Sequence, residues 1–63
     1  MKFSELDIVR TKKDIPEEGI RKGDIGAIII AFTKPKEAYE VEFVDENNNS
    51  KQHVFLPDEI EKE

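Results

Sequence analysis

With 63 residues, 15 acidic against 10 basic side chains and no cysteine, the chain has room for one domain near the lower size limit for an unstapled core. The missing cysteines exclude a disulfide framework and a thiolate zinc site. A formal net charge of −5 repels phosphate backbones on average, so it disfavours generic nucleic-acid binding and suits solubility or a basic or mixed-charge partner.

The opening MKFSELD holds no apolar stretch long enough for a signal core. The longest apolar run, Ala27 to Phe32, is too short to span a membrane, so a cytoplasmic location away from membranes is expected. LDIVRT, Leu6 to Thr11, is β-branched enough for a first strand; adjacent Ile8 and Val9 point to opposite faces, and a strand that curls can bury both, one in the barrel and one under the following loop. KKDIPEEGIRKGD contains no helix pattern. Pro16 biases Ile15 towards extended geometry and Gly19 and Gly23 break any periodicity, so the segment reads as a long ordered loop anchored by Ile15 and Ile20.

Gly23-Asp24 marks a tight turn into the most apolar strand, Ile25 to Phe32. Within it, Gly26 fits a sharp bend or a close backbone approach. Thr33 to Glu37 is polar, contains proline and turns the chain. AYEVEFV then alternates cleanly, with Tyr39, Val41 and Phe43 inward and Glu40 and Glu42 outward, the pattern of a half-buried antiparallel strand. DENNNS makes a polar turn whose asparagines accept left-handed geometry.

SKQHVFL returns as a fourth strand with Val54 and Leu56 in the inward phase and His53 and Phe55 outward. His53 then has Glu40 or Glu42 as a cross-strand partner, according to register. Pro57 to Glu59 forms a short 3₁₀ turn before a brief closing strand at Ile60. The expected fold is all-β: a small SH3-like barrel of four to five antiparallel strands over residues 1–63, with a long loop after the first strand. Barrel closure would remove exposed edges. The expected central core is Ile28, Ile30, Val41, Phe43, Val54 and Leu56.

The segments LDIVRTKKDIPEEGIRKGDIGAIIIAF, AYEVEFVD and FLPDEI resemble a small bacterial family, often seen in cyanobacteria, catalogued as domain of unknown function 4926. The likeness runs from Leu6 to Ile60. It is carried by Leu6-Asp7, Pro16, Gly19, Gly23-Asp24, Gly26, the YEVEF strand and Leu56-Pro57. The resemblance implies an SH3-like barrel and brings no established activity. More distantly, GDIGAII is similar to the turn-and-strand signature of KOW-type domains of ribosomal and transcription proteins, with Gly23, Asp24, Gly26 and Ile28 matching the scaffold portion.

The chemical motifs fail on context. GIRKGDIGAIII lacks the Gly-Lys-Ser/Thr ending and the following helix of a phosphate loop, and its GDIG leads into a strand rather than out of one. Asp45, Asn47 and Asn49 alternate like the start of a calcium loop, but Ser50 and Leu56 stand where the glycine and the bidentate glutamate belong. His53 has no second histidine or cysteine to share a metal. Ser4 and Ser50 lack an elbow context, and the many carboxylates have no cleft to work across. Neither a catalytic residue nor a cofactor or metal ligand is assigned, and enzyme activity is not expected.

The leading function is therefore a protein-interaction or accessory domain. Asp14, Glu17 and Glu18 on the long loop, with His53 and Phe55, are the candidate partner contacts. The alternative is a nucleic-acid or ribosome-associated module using Lys12, Lys13, Arg21 and Lys22, opposed by the loop's own acids. A third reading is a structural subunit or small regulatory partner of a neighbouring gene product. The sequence is compatible with a monomer or a homodimer.

Overall fold

Five antiparallel strands grow outward from the alternating AYEVEFV segment in the computed structural model, which describes every residue from Met1 to Glu63. The strands are β1 (Ile8–Thr11), β2 (Ile25–Phe32), β3 (Ala38–Val44), β4 (Ser50–Phe55) and β5 (Ile60–Lys62), with single 3₁₀ turns at Pro16–Glu18 and Pro57–Glu59. They form one sheet in the order β4-β3-β2-β1-β5. The all-β expectation, the five strands, the long early loop and the near-terminal 3₁₀ turn all hold. The sheet curls in a barrel-like way but is open, because β4 and β5 are its two edges. The expected complete closure is corrected on that point.

β1 begins at Ile8 rather than Leu6, because Leu6 turns the chain with a left-handed φ of 74°. The ladder nevertheless starts there: the Leu6 amide donates to the Ile28 carbonyl at 2.8 Å, and the Ile28 amide to that of Asp7 at 3.0 Å. In the long loop, Ile15 and Ile20 bridge each other across the 3₁₀ turn. Both are buried, so the two anchors hold the excursion against the core as expected. Gly23 adopts φ 95°, a conformation that opens the tight turn only to a residue without Cβ.

Gly26 has a packing reason. A Cβ there would meet the Glu42 carbonyl oxygen at 2.6 Å and Val41 Cγ1 at 2.8 Å, so β2 and β3 approach too closely for any side chain.

A β-bulge corrects the phase of β2. Ile28 pairs with Val41, but the next pair is Ile30 with Glu40, leaving Ile29 as the extra residue. Beyond the bulge, Ala31 shares the inner face with Tyr39, and Ile30 shares the outer face with Glu40. Ile30 is accordingly 40 % exposed and leaves the expected core set.

β4 is reversed in phase throughout. Tyr39 pairs with Phe55, Val41 with His53 and Glu40 with Val54, and directly opposed residues share a face. Phe55 is therefore fully buried, while Val54 and Leu56 are exposed. His53 packs against the Phe55 ring at 4.9 Å, on the face away from Glu40 and Glu42. Phe55 also meets Phe43 edge-on at 6.0 Å. The aromatic side chain occupies the interior because it removes more apolar area from water than either flanking aliphatic.

Ile28, Val41 and Phe43 lie in the core as expected, joined by Val9, Tyr39, Phe55 and Ile60 from the strands. Phe3 completes it from outside the sheet, a contribution the polar opening segment concealed. Thr11 is the single buried polar side chain. Its hydroxyl donates to the Lys13 carbonyl at 2.9 Å and accepts from the Lys13 amide at 3.2 Å, so its burial leaves nothing unpaired.

Candidate functional site

Three polar clusters are fully engaged in holding the fold. At the start of β3, the Tyr39 hydroxyl accepts from the Lys2 and Phe3 amides, each at 3.1 Å, and donates to the Glu37 carboxylate. Glu37 Oε2 accepts from the Lys2 amide at 2.9 Å, and Phe3 packs edge-on against the Tyr39 ring at 5.3 Å. Burial, followed by the bond to the Glu37 carboxylate, raises the Tyr39 pKa above its ordinary 10.0. The Tyr39 hydroxyl and the Lys2 amide hold Glu37 below the usual carboxylate range. This clamp fastens the N-terminal segment over the core, and its hydroxyl has no free direction left for a substrate.

At the β3–β4 turn, Asp45 Oδ1 accepts from the Asn47 and Asn49 amides, each at 2.9 Å. The Asn49 amide is the main cause of the lowered Asp45 pKa. The alternating Asp45, Asn47 and Asn49 thus serve an Asx-type turn with Asn48 at φ 65°, so this carboxylate oxygen is committed to backbone amides. At the second 3₁₀ turn, burial pushes Glu59 up, but the Leu56 amide and the Lys13 ammonium outweigh it and bring it below its ordinary value.

The long loop carries most of the sequence-predicted contacts. Asp14, Glu17 and Glu18 are all exposed on it, and Asp14 Oδ1 accepts from the Lys22 amide at 2.8 Å. His53 is half-buried against the Phe55 ring on the inner face of β4, the face from which the Lys51 ammonium donates to the loop's Gly19 carbonyl at 3.1 Å. Phe55 is wholly enclosed, which corrects its assignment as an outward contact. Lys12, Lys13, Arg21 and Lys22 are exposed on the same loop. Lys13 is bound to Glu59 at 3.1 Å, and the Arg21 amide is held by Asp24 at 3.0 Å. Lys12, Arg21 and Lys22 form no ion pair, and along the chain they alternate with Asp14, Glu17, Glu18 and Asp24.

The feature that sequence reading missed is the outer face of the sheet. Register places Ile8, Ala27, Glu42 and Gln52 in one row across it, and Ile30, Glu40 and Val54 in the next. Ile8, Ile25, Ile30, Val44, Val54 and Leu56 are all exposed large aliphatics. The strand phases put the first five on this one side, with Leu56 continuing it past β4. Phe32, Pro35, Ala38 and Val54 line a shallow pocket at one end, with Lys34 and Lys36 at its rim. Scattered exposed aliphatics are ordinary on a protein surface; on this face Ile30 and Val54 flank Glu40 in one row, and the other aliphatics alternate with polar neighbours. The signal was present in the run of isoleucines, which need two covered sides, but hydropathy assigned both sides to the interior.

Polar groups on that face are unequally satisfied. Arg10 at one end is ion-paired with Glu61 at 3.6 Å and with Glu63. Glu42 accepts a hydrogen bond from Gln52 Nε2 at 3.1 Å. Glu40 lies half-buried between Ile30 and Val54, and the nearest ion pairs of the molecule all involve other residues.

Comparison with known proteins gives a family and no function. The chain has no match among curated proteins or solved structures. The family model described as "Domain of unknown function (DUF4926)" matches residues 5–59, which takes in all of β1 to β4 and the second 3₁₀ turn, and on this likeness the chain belongs to that family.

Proposed function

We propose that the chain is a non-enzymatic protein-interaction or accessory domain whose contact surface is the outer face of the β2–β3–β4 sheet. One observation carries this reading: a β-bulge and the phase of β4 turn Ile30, Val54 and Leu56 towards solvent, at a cost in exposed apolar area that a bound partner recovers. Asp14, Glu17 and Glu18 then serve as accessory contacts at most, because their loop offers charge without an apolar surface. The nucleic-acid alternative is weaker for the same molecule. Lys13 is neutralised by Glu59, and the other loop cations stand among Asp14, Glu17, Glu18 and Asp24, leaving little net attraction for phosphate.

The test is site-specific photo-crosslinking in the source cells. A photoreactive residue at position 30 or 54 should trap one protein of defined mass, and the same residue at position 17 should not. Adducts from position 17 alone would return the contact to the loop. Crosslinks to nucleic acid from the loop lysines would support the alternative instead.

A further inference from the structure

We infer that the outer face takes a partner protein segment that presents a lysine or arginine flanked by aliphatic side chains, with the cation seated on Glu40 between Ile30 and Val54. The inference rests on the interaction reading above and adds the chemistry of the partner. Glu40 is opposed by Ile30 on one side and Val54 on the other, so its carboxylate stands in the middle of an apolar strip. Of the other charged side chains on this face, Arg10 is ion-paired with Glu61 and Glu63, Glu42 accepts a hydrogen bond from the Gln52 amide, and Lys34 and Lys36 stand beyond Val54 at the pocket. A partner that covers Ile30 and Val54 removes water from Glu40 as well. That step is unfavourable unless the partner supplies a cation to the carboxylate, so the strip selects for one.

The pocket beside it extends the match. Phe32, Pro35, Ala38 and Val54, together with Lys34 and Lys36, line a pocket of about 350 Å³, suited to an apolar side chain of the partner on the side of Val54 away from the cation. A second copy of the chain fits poorly, because a two-fold contact over this strip would bring two Glu40 carboxylates into one desolvated space. An anionic lipid surface meets the same carboxylate and a net charge of −5, which together outweigh Lys34 and Lys36 beside Val54.

The experiment is an amide chemical-shift titration of the whole chain with two short amphipathic peptides, one of leucine and lysine and one of leucine and glutamate. The leucine–lysine peptide should shift Ile30, Glu40 and Val54 saturably, at least about tenfold more tightly than its acidic counterpart, the difference a charged hydrogen bond makes. Glu40→Gln should remove most of that preference and Glu40→Lys should reverse it. Equal affinity of the two peptides for the strip would overturn the cationic partner while leaving the interaction face in place. Shifts confined to Asp14–Glu18, or none, would overturn both. Concentration-dependent shifts of the strip without peptide would give it to a second copy, and saturable binding of phosphatidylglycerol vesicles would give it to a membrane; either result contradicts the inference.

Discussion

Gly26→Ala is the sharpest test of how β2 lies on β3. The added methyl would sit 2.6 Å from the Glu42 carbonyl oxygen, 2.8 Å from Val41 Cγ1 and 3.0 Å from Phe43 Cδ1. The first of these is backbone and cannot rotate away, so the two strands must separate where Val41 and Phe43 fill the core. Overpacking of this kind costs about 1–3 kcal/mol. The clash is with backbone, which puts the cost in the upper half of that range, about 2–3 kcal/mol; loss of glycine's freedom in the unfolded chain returns roughly 0.4–1 kcal/mol, leaving a net loss of about 1–2.6 kcal/mol. A domain of 63 residues has roughly 3–9 kcal/mol in total at the usual stability per residue, and each kcal/mol moves the midpoint by about 4–8 °C. Thermal unfolding followed by circular dichroism should show Tm falling by about 5–15 °C. An unchanged or raised Tm would refute the close approach, since alanine without a clash is the more stable residue.

The remaining predictions concern the N-terminal clamp and the pH limits of the fold. Tyr39 is the single tyrosine of a chain without tryptophan, so phenolate absorbance reports it alone. Its midpoint should lie above 10.0, and a midpoint at or below that value would contradict its burial. Because the folded pKa is raised, the stability linked to Tyr39 is complete below the unfolded value and is lost as pH rises through the folded one. Denaturant midpoints should therefore fall on the alkaline side, and Tyr39→Phe should flatten that limb. On the acid side, Glu37, Asp45 and Glu59 have depressed pKa values. Their contribution is present above the ordinary carboxylate range and disappears as pH drops through the folded values, so urea midpoints should decline on acidification below that range. Phe3→Ala should cost about 3 kcal/mol by emptying a core site; a loss under about 0.5 kcal/mol, the range of surface changes, would show that the opening segment is not part of the core.

Much of the fold is written in local pattern. Tyr39, Val41 and Phe43 alternate with glutamates, so only one face of β3 can be buried, and it is. Pro57 starts the second 3₁₀ turn, and Ile15 and Ile20 bracket a proline–glycine loop that can only fold back on itself. What stayed hidden is register. Val54-Phe55-Leu56 is apolar in both phases, and hydropathy alone gives the two aliphatics more weight than the one ring. The pairing with Tyr39 decides for Phe55, and that pairing is a tertiary fact.

The bulge at Ile29 is equally invisible in a run of three isoleucines, yet it moves Ile30 to the opposite side of the sheet. Three residues of the candidate face, Ile30, Val54 and Leu56, are ones that local reading places in the core. Phe3 was concealed for the opposite reason, as a lone ring in a polar segment with no period to reveal it.

The side on which β4 presents its residues decides whether the outer face exists, and two neighbouring substitutions compare it directly. Equilibrium unfolding of Val54→Lys and Phe55→Ala should differ greatly: the first within about 0.5 kcal/mol of the parent chain, the second losing about 3–5 kcal/mol, a large share of the roughly 3–9 kcal/mol total. A destabilised Val54→Lys beside a stable Phe55→Ala would put Val54 inside and remove the surface on which the proposed function depends.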